Sequence, residues 1–112
     1  MSEDDPVLET LAGITAVSIA QCTLEDRELM LARIAALAAV GAPPASYLAN
    51  AGTASEVGIT LEDVQGVLIA VAPIIGTPRV VAAAGNIARA LGFAIAVLEA
   101  ALEADLEAED AS

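Results

Sequence analysis

TLEDVQGVLIAVAPIIGTPRVVAAAGNIARALGFAIAVL, residues 60–98, is the stretch whose reading decides the fold. Thr60 followed by Asp63 has the form of a capping box, with the threonine oxygen offered to free N–H groups of a first helical turn. An apolar run follows and Gly76 stops it. Thr77-Pro78 then restarts a helix, because proline is tolerated at the first helical position, where its missing N–H is not needed. The stretch therefore predicts a helical hairpin so apolar that it buries nearly all round, either in protein or in lipid.

The lipid reading fails on particular residues. The window Val80 to Leu98 is hydrophobic enough to be flagged as a span, yet Asn86 and Arg89 fall near its middle. A cation there costs roughly 2.5–3.5 kcal/mol even on the lenient insertion scale. The neighbouring candidate, Val67 to Ala84, is interrupted by Pro73, Gly76 and Pro78 and carries Arg79. Aromatic residues are 2% of the chain, too few for an interfacial belt. Close packing of alanine- and glycine-rich helices in a soluble oligomer fits better, with no membrane.

Upstream of the hairpin the helical pattern continues. Asp5-Pro6 reads as an N-cap and first-turn proline, and Val7, Leu8, Leu11, Ile14 and Val17 recur at helical spacing. Ser18 to Cys22 is expected to be a short connection. Thr23-Leu24-Glu25-Asp26 is expected to open a second helix as Thr60 opens the fourth, and Gly41 to close it. Pro43-Pro44 starts a third helix carrying Tyr47 and Leu48, ending within Gly52 to Gly58. A fourth spans about Leu61 to Ile75, its last turn loosened by Pro73. The fifth begins at Pro78 and runs to about Glu107, with a bend expected at Gly85 or Gly92 and a frayed acidic end beyond. No strand pattern competes, so the fold class is all-α, a bundle of about five helices in one domain spanning 1–112. TLED occurs at 23–26 and again at 60–63, each copy leading to Gly-x-Pro; a helix–turn–helix duplication or a shared need for caps would each explain this.

Composition narrows the function. Apolar residues are 57% of the 112, above the roughly 45–50% of an ordinary domain, and subunit interfaces are the usual place for the excess. The net charge of −12, with all four bases arginine, argues against nucleic acid and against an anionic membrane surface. Glu3-Asp4-Asp5 and the acids from Glu99 to Asp110 would keep an apolar body in solution. There is one cysteine, Cys22, and no histidine, which leaves no internal disulfide and neither the commonest metal ligand nor the commonest neutral-pH base. The sequence calls for no cofactor and no metal. The acidic N-terminus does not have the form of a signal peptide, so the cytoplasm is the default compartment.

Two segments carry a resemblance. Asp26-Arg27-Glu28-Leu29 leads into an alanine-rich helix; Gly58-Ile59-Thr60-Leu61-Glu62-Asp63-Val64 leads through Val67-Leu68 to Gly76-Thr77-Pro78. With these, Thr23 to Leu91 resembles the carboxymuconolactone decarboxylase family, the all-helical group that includes the alkylhydroperoxidase D-like proteins. The resemblance implies that fold and assembly of the chain with itself into trimers or hexamers. In the family's redox branch a glutamate precedes Cys-x-x-Cys-x-x-x-His on a fixed spacing. Glu28 matches the glutamate, but the cysteine positions fall at Val40 and Pro43 and the histidine position at Tyr47. Dithiol peroxide reduction needs two sulfurs in reach and a base, so this chain does not run it. The decarboxylase branch, which acts on a lactone carboxylate, needs a proton donor or acceptor and a cation. Here only Glu28, Tyr47 and an arginine are left for those roles.

Glu28 and Tyr47 are accordingly the candidate site residues, expected to flank a cleft for a small apolar or carboxylate ligand. Glu28 reads equally as a surface partner of Arg33, and Tyr47 as a core tyrosine with one hydrogen bond. Cys22, just before the second helix, is opposed as a thiolate by Glu25, Asp26 and Glu28. Arg79 stands in the first turn of the last helix, against its dipole. Asn86 and Arg89 form a polar spot suited to an interface network. The alternative to a ligand-binding protein is a structural module whose apolar surface docks on another protein.

Overall fold

The computed structural model describes residues 5–111. Within them five helices follow one another: α1 (Pro6–Gln21), α2 (Asp26–Val40), α3 (Pro44–Glu56), α4 (Leu61–Ile75) and α5 (Thr77–Ala111). The expected all-α class and helix number are therefore found, with no strand among the described residues. Glu3 and Asp4, part of the expected acidic N-terminus, lie outside those residues.

Local chemistry sets most boundaries. Asp5 caps α1, its carboxylate accepting from the Val7 N–H at 2.9 Å, and Pro6 opens the first turn. The helix does not stop near Val17. It continues through Gln21, and the Cys22 N–H donates to the Ser18 carbonyl at 3.0 Å, because nothing in Ser18-Ile19-Ala20-Gln21 breaks a helix. Thr23 does not cap α2. Glu25 takes that position, and its N–H donates to Glu28 Oε1 at 3.2 Å. At α4 the expected cap is present: Asp63 N–H donates to Thr60 Oγ1 at 3.1 Å and Thr60 N–H donates to Asp63 Oδ2 at 2.9 Å. The two TLED segments thus share letters but not cap register.

Gly41 ends α2 with φ 72°, a left-handed conformation that costs glycine little and other residues much. Pro73 remains inside α4, and Ile69, whose carbonyl loses its helical donor to that proline, is exposed. The last helix is uninterrupted through Gly85 and Gly92 and continues past Glu107, where Ala, Leu and Glu are all strong helix formers.

The bundle is organised on α2. Met30, Ile34 and Ala38 lie four residues apart, form one buried stripe, and α2 packs against α3, α4 and α5. Ala83 and Ala90, seven residues apart on α5, are also buried. Alanine at these contacts lets helix axes approach closely, since interaxial distance follows side-chain size. Tyr47, Ala42 and Ala90 form a further cluster, flanked by Leu37, Leu48 and Ile87. The Asn86 amide donates to the Ala42 carbonyl at 3.2 Å, and Arg89 donates to Asn86 Oδ1 at 3.3 Å, so this polar spot is paired within the chain.

Two apolar surfaces have no partner among the described residues. No residue of α1 is buried, and Leu8, Leu11, Ile14 and Val17 are all exposed. A tie from α1 to the bundle is the Arg33 guanidinium, which donates to Ser18 Oγ at 3.3 Å. Beyond Ala94, α5 likewise exposes Ile95, Val97, Leu102 and Leu106. By length and composition α5 is long and apolar enough to cross a membrane. It also packs against α2, α3 and α4.

Candidate functional site

A cavity of about 260 Å³ opens where α3 and α5 pass the loop that leads into α4. Ile34 and Leu37 of α2 form its floor. Tyr47, Leu48, Ala51 and Ala54 line it from α3, and Ile87, Ala90, Leu91 and Ala94 from α5. Ile59, Thr60, Leu61 and Val64 complete the wall. Its size falls just under the usual range of ligand clefts, about 300–1,000 Å³, and its lining is mostly aliphatic.

Tyr47 is the polar exception that matters. The residue is 8% exposed, and its hydroxyl is buried with no hydrogen-bond partner among the described residues. Leaving such a group unpaired costs about 1–3 kcal/mol. Burial pushes its phenol above the ordinary value of 10.0, because the charged phenolate is the form that loses solvation. Thr60, also on the wall, is already committed: its hydroxyl donates to Asp63 Oδ2 at 3.0 Å and accepts from the Asp63 N–H. Asn50 donates to the Ser46 carbonyl at 3.0 Å. Among the lining residues Tyr47 alone is titratable.

The structure does not bring the two candidate residues together. Glu28 is exposed, accepts from the Glu25 N–H at the start of α2, and does not line the cavity. Tyr47 lines it. Val40 and Pro43, at the positions of the family's cysteines, are exposed, Val40 by 77%. Cys22 caps the C-terminal end of α1 and is half-buried, away from the cavity lining. The arginines lie outside the lining too: Arg33 is turned to Ser18, Arg89 to Asn86, and Arg27 to Asp63. Among the described residues no group of three or more acidic or thiol side chains converges as a metal-ligand set. A second hollow of about 290 Å³ lies under α1, lined by Thr15, Arg33 and Ala49 among others.

Sequence reading passed over Arg27. Its guanidinium makes two bonds to the Asp63 carboxylate, 2.8 and 3.1 Å, and a third to the Gly58 carbonyl at 3.3 Å. Asp63 is held well below the usual carboxylate range, first by the Arg27 hydrogen bonds and then by the N–H and hydroxyl of Thr60. The available signal was the position of Arg27 directly after the first TLED, but helical periodicity carries no information about pairing across such a sequence distance. No family model, no curated protein and no solved structure matches this chain.

Proposed function

We propose that the chain is a divergent carboxymuconolactone decarboxylase-like protein that binds a small, neutral, largely apolar molecule bearing one hydrogen-bond acceptor. Two observations support this reading: Tyr47 lines a mostly aliphatic cavity, and its hydroxyl is buried with no hydrogen-bond partner among the described residues. A ligand acceptor would satisfy the donor, and the ligand's apolar body would bury against Leu48, Ile87 and Ala90 at about 25 cal/mol per Å². A carboxylate fits less well, because no guanidinium is among the lining residues and an unpaired charge is costly to bury. Binding rather than turnover is favoured by the same list. Tyr47, kept neutral by burial, is a poor general base at neutral pH, and Glu28 is engaged at the surface.

Assembly of the chain with itself belongs to this reading. The exposed aliphatic face of α1 and the distal half of α5 are surfaces of the kind that subunit contacts cover, and the cytoplasm is the compartment the reading assigns. The second reading, a structural module docking on another protein, draws on the same unpartnered α1 face.

The test is equilibrium dialysis with 2-acetylnaphthalene, a neutral two-ring ketone. Saturable binding of one molecule per chain is expected, abolished by Ala54→Phe, which fills the cavity from α3. Binding that survives Ala54→Phe, or no binding at all, contradicts the proposal.

A further inference from the structure

The loop between α3 and α4 forms a wall of the cavity through Ile59 and Thr60, and its attachment is unequal on its two sides. Toward α3 it is held by backbone bonds: Val57 N–H to the Thr53 carbonyl at 3.1 Å and Ile59 N–H to the Ala54 carbonyl at 2.9 Å. Gly58, at φ 80°, turns the chain here, a conformation that other residues adopt only with strain. Toward the core of the bundle, a side-chain tie adds to the packing of α4 on α2 and α5. Arg27 on α2 reaches the Gly58 carbonyl on one side of the wall and both oxygens of Asp63 on the other. Asp63 in turn holds the N–H and hydroxyl of Thr60, which lines the cavity. One guanidinium therefore bonds to both flanks of Ile59-Thr60.

We propose that Arg27 is a positioning residue that latches the Gly58–Asp63 segment as one wall of the cavity, and that releasing this latch widens the cavity mouth to solvent and ligand. The consequence for ligand rests on the binding reading above; the opening itself does not. A surface ion pair is ordinarily worth little to stability, since solvent screens it and two long side chains must be ordered. This one differs in geometry rather than strength. The bidentate fork sets an orientation that a point charge does not, and its third bond reaches backbone. Local openings of this kind are governed by just such solvent-exposed ties.

Tyr47 supplies a readout that needs no ligand, because the chain has one tyrosine and no tryptophan. With the ring 8% exposed, its emission is quenched by acrylamide more strongly when the cavity wall moves away from it. The comparison is wild type, Arg27→Ala, Arg27→Lys and Glu28→Ala, the last removing the cap beside Arg27 without touching the loop. Quenching is expected to rise about threefold or more in Arg27→Ala and Arg27→Lys and to stay at the wild-type value in Glu28→Ala. Arg27→Lys and Asp63→Asn, which keep side-chain size, carry the test if Arg27→Ala does not fold. Dissociation of 2-acetylnaphthalene is expected to accelerate by a similar factor in the same variants. Unchanged quenching in the Arg27 variants, or an equal rise in Glu28→Ala, overturns the latch. Raised quenching with unchanged dissociation overturns its role as a gate. Raised quenching in a protein whose wild type takes up no 2-acetylnaphthalene supports the latch and removes the binding reading instead.

Discussion

Arg27 grips Asp63 with two hydrogen bonds of 2.8 and 3.1 Å, so the residue that follows the first TLED segment holds the last residue of the second. The echo in the sequence is thus a contact in space. Its two halves are not used alike, since Thr60 caps α4 whereas Glu25, rather than Thr23, caps α2.

This pairing sets an acid dependence. The Asp63 carboxyl titrates well below its ordinary 3.8 in the folded chain, chiefly through Arg27. A group whose folded value is depressed contributes stability that is complete above its unfolded value and is lost as pH falls toward the folded one. The stability gap between wild type and Asp63→Asn is therefore expected to be constant near neutrality and to close as the pH drops below about 4. Urea unfolding at a series of pH values checks this. A gap that persists unchanged at pH 2 would contradict it.

At the alkaline end Tyr47 sets a second dependence. Burial raises its value above 10.0, so the unfolded chain releases the proton first and stability declines as pH rises beyond that point. Phenolate absorbance, unambiguous with one tyrosine, should give a midpoint above 10.0 that returns to the ordinary range in urea. Equal midpoints in the two conditions would show the ring to be solvated.

Among the described residues the largest fully buried side chain is Met30, 1% exposed. Met30→Ala should cost about 2–5 kcal/mol in denaturant unfolding, lost transfer energy plus a cavity term. Leu8→Ala on exposed α1 should shift monomer stability by only about 0.5 kcal/mol or less. Comparable losses at the two positions, measured at a concentration where the chain is monomeric, would contradict the exposure of α1.

Association should depend on α1. Sedimentation equilibrium without detergent is expected to give more than one chain per particle for wild type and a shift toward the single-chain mass for Leu11→Glu and Ile14→Glu. Both positions lie on the exposed apolar face of α1. A wild-type protein that is monomeric, or that needs detergent, removes the oligomer from the account.

The helices were legible because their signals are local. Asp5-Pro6, Thr60 with Asp63, and Gly41 each act within a turn of the boundary they set, and the observed ends at Pro6, Leu61 and Val40 follow. Thr23 misled because the same letters permit Glu25 to cap with Glu28, a competition between neighbouring registers that sequence does not decide. Ser18 to Gln21, expected as a connection, continues α1 because no breaker stands there. At the site, Tyr47 was found through a family position and does line the cavity, whereas Glu28, found the same way, is bonded on the surface. The cavity itself was not legible: Ile34, Tyr47, Thr60 and Ala90 meet only through helix packing. The pairing of Arg27 with Asp63 was hidden for the same reason.

The account turns on the Tyr47 hydroxyl, and the most direct measurement is a cycle of four affinities. Wild type and Tyr47→Phe are each titrated with 2-acetylnaphthalene and with 2-ethylnaphthalene, which has the same rings and no acceptor. In wild type the ketone should bind about tenfold more tightly, the equivalent of roughly 1.4 kcal/mol for one buried hydrogen bond. In Tyr47→Phe that preference should vanish while the hydrocarbon binds at least as well as before. Equal affinity of wild type for the two compounds, or a preference that survives loss of the hydroxyl, would contradict the assignment of Tyr47 as the ligand's donor.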